Sequence, residues 1–406
     1  MGCCDKGAIS VQEALSAMLA EVTPTQAVTT VSLATALGHR LAENVISTLD
    51  MPPFDNSAMD GYAFRFAEWQ EGQVMPVAGT AFAGQPFHGD VAKGACLRIM
   101  TGAEVPAGLD TVVMQEQTVV SADGVTLTKA PKANANIRYR GEEIRTGDVV
   151  IPAGTRVHAR ILPLLATLGV AEVSVYRPIK VAIFSTGDEL KLPGEMLGQG
   201  EIYDSNRFGI EAMLKRMDIE CINLGIIPDD PIQLRNTFFH AVESADAIIT
   251  SGGVSVGEAD YTRDLLAELG EVGFWSVAMK PGKPFAFGQI QGKHFFGLPG
   301  NPVSAFVTFY QLVQPVLRKM AGELPKAVLR VPAITAHAFR SAKNRVDFQR
   351  GITSINDVGQ LVVSSTGAQG SGMFSSLCAA NCFVIIEKDM AADEIVTIEL
   401  FNEIVN

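Results

Sequence analysis

Apolar residues recur at helical spacing at Ala14, Leu15, Met18 and Leu19, directly after Ser10-Val11-Gln12-Glu13. A Ser followed three residues later by a Glu is a capping box, in which each side chain takes up a backbone N–H that a first helical turn leaves unpaired. The pattern predicts an amphipathic helix over residues 10–21, and a second is expected over Leu33–Glu43. From Phe54 to Arg140 the texture changes to short β-prone runs such as Pro76–Gly79 and Thr111–Met114, separated by Gly and Pro. That texture describes a small β-rich module inserted into an extended and helical one. Past it, a helix is predicted over Ala159–Leu168, closed by Gly169.

Residues 179–328 alternate between strand-like and helix-like runs: strand Ile179–Phe184, helix Ser205–Met217, strand Glu220–Ile227, helix Pro231–Glu243 and strand Ala247–Thr250. Such alternation signifies βαβ units and a parallel or mixed sheet covered on both faces. Ligands of these sheets sit outside the carboxyl ends of the strands, which directs attention to the loops after Phe184, Ile227, Thr250 and Leu298. After Pro325 the chain returns to short β-runs at 329–335, 360–364, 382–387 and 395–401. The organisation expected is therefore a discontinuous extended, helical N-terminal domain (8–53 and 141–178), an inserted β-rich domain (54–140), an α/β domain (179–328) and a C-terminal β domain (329–406).

Composition narrows the class. Of 406 residues, 47% are hydrophobic and 19% charged, enough apolar surface for several real cores. The net charge of −12 argues against nucleic acid and anionic membrane surfaces as partners, since both require a basic face. A mean hydropathy of +0.21 prompts a search for membrane spans. The longest apolar stretch, Ile161–Tyr176, is interrupted by Pro163, Thr167, Gly169 and Glu172, so none is expected. Lys6 stands where a myristoylation signal requires Ser or Thr, and no apolar leader follows, so a cytoplasmic location is expected. Dispersed cysteines without a CxxC pair point to reduced thiols, and scattered histidines give no zinc-ligand spacing.

Several stretches could carry chemistry. In SGGVSVGEADYT (251–262) a strand ends at paired glycines, which either cradle a phosphate or make an ordinary βα turn. Its Gly253-Val254-Ser255-Val256-Gly257 also matches a nucleophile elbow, but the helix that an elbow needs directly after the Ser is delayed. Lys280 and Lys283 flank Pro281-Gly282 in a stiff loop, where two ammonium groups could converge on one anion or simply be solvated. GLPGNPVSAF (297–306) starts a helix with Asn301 as N-cap and Pro302 at its first position. Asp188 and Glu189 in STGDEL follow a strand directly, as capping residues or as ligands of a hard cation such as Mg²⁺. Asp229-Asp230-Pro231 reads mainly as a helix start, and PPFDNSAMDGYA (52–63) is a polar loop with no reaction written in its spacing.

Taken in order, PPFDNSAMDGYA, IMTGAEVP, RYRGEEI, STGDEL, SGGVSVGEADYT, MKPGKPFAFG, GLPGNPVSAF and FQRG resemble the motifs of the MoeA family, the molybdopterin molybdenumtransferases of molybdenum-cofactor synthesis. The resemblance implies a homodimer of four-domain subunits, with a molybdopterin-binding α/β domain over 179–328 facing the other subunit's N-terminal domains, and a C-terminal β-barrel-like domain. It implies reaction of adenylyl-molybdopterin with molybdate, dependent on Mg²⁺, giving molybdenum cofactor and AMP, with a molybdopterin adenylyltransferase as upstream partner. By the same resemblance Asp60, Thr101, Glu189, Asp260, Lys280 and Lys283 are catalytic, with Glu189, Asp60 and Asp260 directed at the metal. Glu143, Asp229, Ser251, Gly252, Gly253, Pro299, Pro302, Arg350 and Ser371 are implied substrate-binding residues.

Where the family motif usually reads RGED, this chain has Arg140-Gly141-Glu142-Glu143, one methylene longer at the last carboxylate. That matters for an octahedral Mg²⁺ with ligands at ~2.1 Å, unless a water absorbs the shift. The charges suggest a division of labour, with Glu189 and nearby acids holding Mg²⁺ on the pyrophosphate and Lys280, Lys283, Arg350 and Ser371 holding molybdate. The rival readings are a non-catalytic scaffold on the same domain and a single-domain adenylyltransferase. The retained acids and lysines speak against the first, and the N- and C-terminal domains against the second.

Overall fold

The N-terminal capping box closes as its spacing requires. Glu13 N donates to Ser10 Oγ (3.1 Å), Ser10 N donates to the Glu13 carboxylate (2.8 Å), and the helix Val11–Glu21 follows with Ala14 and Met18 buried. These coordinates are a computed structural model describing residues 8–253 and 261–405. The chain divides into two units. One comprises the N-terminal residues through Ala42, Gly154–His158 and everything from Glu172; the other comprises Glu43–Ala153 and Ala159–Ala171.

The expected helix over Leu33–Glu43 does not form. Only a 3₁₀ turn, Leu33–Thr35, appears, and Gly38 at φ +92° turns the chain into extended backbone. The reason is pairing: Val28–Ser32 lies antiparallel to Glu172–Tyr176, and Leu41 continues the ribbon by exchanging backbone bonds with Thr155 and Gly154. Up to residue 53 the N-terminal region is thus one α-helix followed by extended ribbon, with one further short helix in its later segment, so helices are few there.

The α/β part follows the alternation read from the sequence. Its six-stranded sheet has the order Glu220–Ile227, Lys180–Thr186, Ala247–Ser251, Lys293–Leu298, Pro284–Ile290, Gly270–Ser276. The first four strands are parallel and the last two antiparallel, so the sheet is mixed. Alternate side chains of Lys180–Thr186 serve two cores. Val181 and Ile183 join one with Ile210 and Leu214 of helix Asn206–Arg216, while Ala182 and Phe184 join the other with Phe238 of helix Pro231–Ser244. Phe184 and Phe238 meet edge to face with ring centroids 5.2 Å apart, the arrangement favoured by aromatic quadrupoles.

At the C-terminal end, Arg330–Thr335, Val346–Ile355, Leu361–Ser365, Cys382–Ile386 and Ile395–Leu400 close into a five-strand barrel, because Val346–Ile355 pairs on both sides. Closure leaves no exposed strand edge. A two-residue strand, Met279–Lys280, adds parallel to Val346-Asp347.

The other unit contains a four-stranded sheet in the order Val77–Ala81, Cys96–Ile99, Gly61–Phe64, Thr111–Met114. Gly61 is required there, since a Cβ would lie 1.8 Å from Val113 O of the neighbouring strand. The short helix Ile161–Thr167 ends in the expected way, with Gly169 left-handed at φ +71°. No helix among the described residues is long and apolar enough to cross a membrane.

Candidate functional site

Asp60 is the last residue before the strand Gly61–Phe64, and the MTGA turn is folded against its loop. Gly102 N donates to Ser57 O (2.8 Å) and Ser57 N to Ala103 O (3.0 Å), a close approach helped by Gly102 at φ +79°. Thr101 is thereby placed to donate both its backbone N–H and its hydroxyl to Asp60 Oδ1, each at 2.7 Å. Those bonds, assisted by the Arg98 guanidinium, hold the exposed Asp60 carboxyl below its usual range. The result is a fixed, ionised acid presented to solvent.

Glu143 lies in the same unit on a turn built by other acids. Asp55 accepts from Arg140 N (2.8 Å), Asp50 accepts from Arg140 Nε (2.6 Å) and from Thr146 N (2.9 Å), and Glu143 N donates to Met51 O (3.0 Å). The Glu143 side chain is exposed, so its extra methylene is accommodated at the surface.

In the α/β domain the parallel strands deliver their loops to one edge. Gly187, at φ +144°, lets the Glu189 carboxylate fold back over it, since a Cβ there would stand 2.5 Å from Glu189 Oε2. Asp229 N, from the loop after Ile227, donates to Asp188 Oδ1 (3.1 Å). Partial desolvation and then the charges of Asp188 and Glu189 raise the Asp229 carboxyl above its ordinary value. Its side chain is on the surface, so the like-charge neighbours carry the chemical weight. No group of three or more His, Cys, Asp or Glu among the described residues is arranged to hold a metal ion. Mg²⁺ does not require one, because it usually takes one or two carboxylates and completes its shell with water and substrate phosphate.

Ser251 is buried at the end of its strand, followed by Gly252 (φ +93°) and Gly253 (φ +66°). Gly252 N donates to Leu298 O (3.1 Å), and a Cβ on Gly252 would lie 2.7 Å from Thr186 O, so this turn fits tightly between its neighbours. Asp260 and Ser255 lie outside the described residues. Pro299 is buried, and Pro302 opens the helix Pro302–Thr308. Asn301 makes no side-chain cap there; instead Val303 N donates to Ser371 O (3.0 Å), which occupies a donor that an anion at that terminus would have used.

The lysine loop and Arg350 are differently placed. Lys280 Nζ donates to Asp347 Oδ2 at 3.1 Å, with Asp347 buried and Lys280 half-exposed. Gly282, at φ +107°, packs close enough to helix Pro302–Thr308 that a Cβ would meet Thr308 Oγ1 at 2.4 Å. Lys283 O accepts from Val277 N (2.9 Å) at the base of the loop. Arg350 is fully buried, its Nε donating to Ser376 Oγ (3.0 Å) and its Nη2 to Gly370 O (3.1 Å). Burial lowers its pKa, opposed by the Asp347 charge. Arg350 therefore staples the loop that presents Ser371 to the helix start, and its guanidinium is engaged within the protein.

Three family models match the chain in order: the MoeA N-terminal region (domain I and II) over residues 9–169, a probable molybdopterin binding domain over 182–319, and the MoeA C-terminal region (domain IV) over 332–401. The chain belongs to the MoeA family. A protein of Haemophilus influenzae named molybdopterin molybdenumtransferase is 46% identical over 402 residues, 98% of this chain and 99% of that one. One of the same name from Staphylococcus aureus is 35% identical over 387 residues, covering 93% and 91%. Among solved structures, the molybdopterin biosynthesis moeA protein of Pyrococcus horikoshii OT3 superposes with a TM-score of 0.84 at 28% identity, covering 97% of this chain and 100% of that one.

Within this MoeA-family chain, two residues of the Asp204-Ser205-Asn206 segment escaped sequence reasoning. Asn206 Nδ2 donates to Ser251 Oγ (2.7 Å) and Gly300 O (2.8 Å), tying two strand-end loops together. Asp204, buried, accepts from Ser185 Oγ (3.1 Å) and from Arg207 Nε (2.8 Å). The only sequence signal was three polar residues opening a helix, which ordinary capping already explains.

Proposed function

We infer that this chain is a molybdopterin molybdenumtransferase, inserting molybdenum during molybdenum-cofactor biosynthesis, and we propose that it does so by Mg²⁺-dependent reaction of adenylyl-molybdopterin with molybdate, releasing AMP. The observation that carries the chemical part is the grouping of Asp188, Glu189 and Asp229 at the carboxyl ends of parallel strands, where partial desolvation and then the charges of Asp188 and Glu189 raise the Asp229 carboxyl. Such a cluster is relieved by a hard cation.

Glu189 would hold that cation with Asp260, and Asp60 is the metal-directed acid of the other unit. When bound, Mg²⁺ would neutralise charge on the phosphoanhydride and so lower the barrier to its cleavage. The protein's own work is positioning. Thr101 fixes Asp60, Asn206 fixes the Ser251 turn, and Arg350 fixes Ser371 beside the LPGNP helix start. Lys280, shared with Asp347, and Lys283 supply local cations for molybdate in a chain of net charge −12. Glu143, Gly252, Gly253, Pro299 and Pro302 are proposed to line the substrate path.

The working form is proposed to be a cytoplasmic homodimer supplied by a molybdopterin adenylyltransferase. The test is AMP release by the purified protein from adenylyl-molybdopterin, with molybdate and Mg²⁺ each omitted in turn. Release should require both, and Lys280→Ala should raise the molybdate concentration needed. Release independent of molybdate would refute the reading.

A further inference from the structure

Asp347 is buried, yet the lysine it neutralises is not. Lys280 and Asp347 stand directly opposite each other where the two-residue strand Met279–Lys280 pairs with the barrel strand Val346–Ile355, and Lys280 Nζ donates to Asp347 Oδ2 at 3.1 Å. The Asp347 side chain is 2% exposed and that of Lys280 43%. A second donor meets the same oxygen: Gln349 Nε2 lies 3.0 Å from Asp347 Oδ2 and also donates to Arg340 O at 2.7 Å. The charge of Asp347 reaches the buried Arg350 as well.

Neither of the two hydrogen bonds needs that charge. An amide of the same shape could accept from Lys280 and Gln349 with one oxygen, and it would avoid the desolvation that a buried carboxylate suffers. An ion pair with a half-exposed lysine adds little stability, because solvent screens it. Folding alone therefore does not account for an acid at this position. Its charge is felt on the exposed side of the pair. An atom accepting from Lys280 Nζ would lie no more than about 6 Å from Asp347 Oδ2, the 3.1 Å ion pair plus one charge-assisted hydrogen bond of ~2.8 Å. That is inside the Debye length of ~8 Å at physiological salt, so the carboxylate repels the anion that Lys280 attracts.

We propose that Asp347 sets the oxyanion affinity of the lysine loop: it positions the Lys280 ammonium and, through its own charge, loosens the hold on a dianion so that the anion can be passed on. The inference rests on the function proposed above, in which Lys280 receives molybdate. Molybdate is there a cargo that has to leave, and ground-state binding beyond what capture requires does not speed its transfer. The loop is built to keep the ammonium in one place. Its strand is paired to the barrel at Lys280, and Gly282 approaches Thr308 so closely that no Cβ fits between them. Asp347 is thus a positioning residue, acting on the anion through Lys280 and through space.

The test is calorimetric titration of the full-length protein with molybdate, sulfate and perrhenate, tetrahedral oxyanions of which the last carries one charge instead of two. Asp347→Asn should tighten molybdate and sulfate roughly tenfold and perrhenate only about threefold, because Coulomb energy scales with the charge of the ligand. Asp347→Glu keeps the charge and should leave the ratio of molybdate to perrhenate affinity close to that of the wild type. In AMP release from adenylyl-molybdopterin, Asp347→Asn should lower the KM for molybdate and lower kcat with it. A merely structural role gives a different pattern, in which all three anions weaken by one factor and KM rises. That pattern, unchanged affinities in Asp347→Asn, or a wild type that binds none of the three overturns the proposal. If Asp347→Asn melts early, the ratio of molybdate to perrhenate affinity below its transition decides, since partial unfolding scales every ligand alike. Expected shifts in oxyanion binding without any AMP release would support the role of Asp347 and overturn the transferase reading.

Discussion

The acid cluster at the strand ends and the Arg350 staple in the barrel are both groups of charged side chains, but they are finished to different degrees. Around Arg350, burial is complete and the donors meet Ser376 Oγ and Gly370 O within the fold. Around Asp229, partial desolvation and then the charges of Asp188 and Glu189 push the carboxyl toward its protonated form. A charge whose partners are all internal is explained by architecture. A set of like charges gathered at strand ends lacks that internal compensation, and the Mg²⁺ proposed above would supply it.

Removing the staple should have the largest effect. Arg350→Met should lower folding stability by about 3–5 kcal/mol, because it removes two hydrogen bonds made by a buried charged group, to Ser376 Oγ and to Gly370 O. Denaturant midpoints would measure this, and a change below 1 kcal/mol would make Arg350 a binding residue after all. Glu189→Gln should behave in the opposite way, leaving the midpoint nearly unchanged while AMP release falls roughly 100-fold, several kcal/mol of charge stabilisation being at stake. Titrating Mg²⁺ into the variant should show a raised requirement; an unaltered Mg²⁺ dependence would remove Glu189 from the metal site.

The smallest effect is in pH dependence, and there two acids should differ in sign. Asp229 has a raised pKa, so the folded chain binds its proton more tightly, and stability falls as pH rises from the ordinary value of 3.8 through the raised one. Asp229→Asn should remove that fall. Asp60 has a lowered pKa, so its contribution is present above 3.8 and lost as pH falls through the folded value. Asp60→Asn should weaken the protein above that window and not below it. Thermal midpoints across the acid range would distinguish the two, and identical profiles would dissolve the contrast.

Much of the architecture was readable in the chain because burial and hydrophobicity coincide there. Glu220–Ile227 matched the strand expected, Pro231–Ser244 and Asn206–Arg216 fell within a residue of their expected bounds, and Gly169 stopped its helix. The ten-residue strand Val346–Ile355 was missed for a physical reason: Asp347, Gln349 and Arg350 are polar yet buried, so no alternation marks them. The helix over Leu33–Glu43 failed because ribbon pairing with distant Glu172–Tyr176 outweighed local propensity. In the site, motif order singled out Asp60, Thr101 and Glu189, and the fold joins the first two across 41 residues of chain. Asn206 and Asp204 act through contacts with Ser251, Gly300 and Ser185, which only the folded sheet brings within reach.

The short strand Met279–Lys280 has a consequence for how the chain can be divided. It precedes the barrel in sequence, yet its partners are Val346 and Asp347, and Lys280 is anchored by the Asp347 carboxylate. The lysine loop is thus owned jointly, its ends covalently by the α/β sheet and its flank by the barrel. A gene fragment ending before residue 329 could encode every strand of that sheet and still deliver Lys280 without its anchor. Under the function proposed above, both modules have to be inherited together, because the barrel supplies the anchor of Lys280.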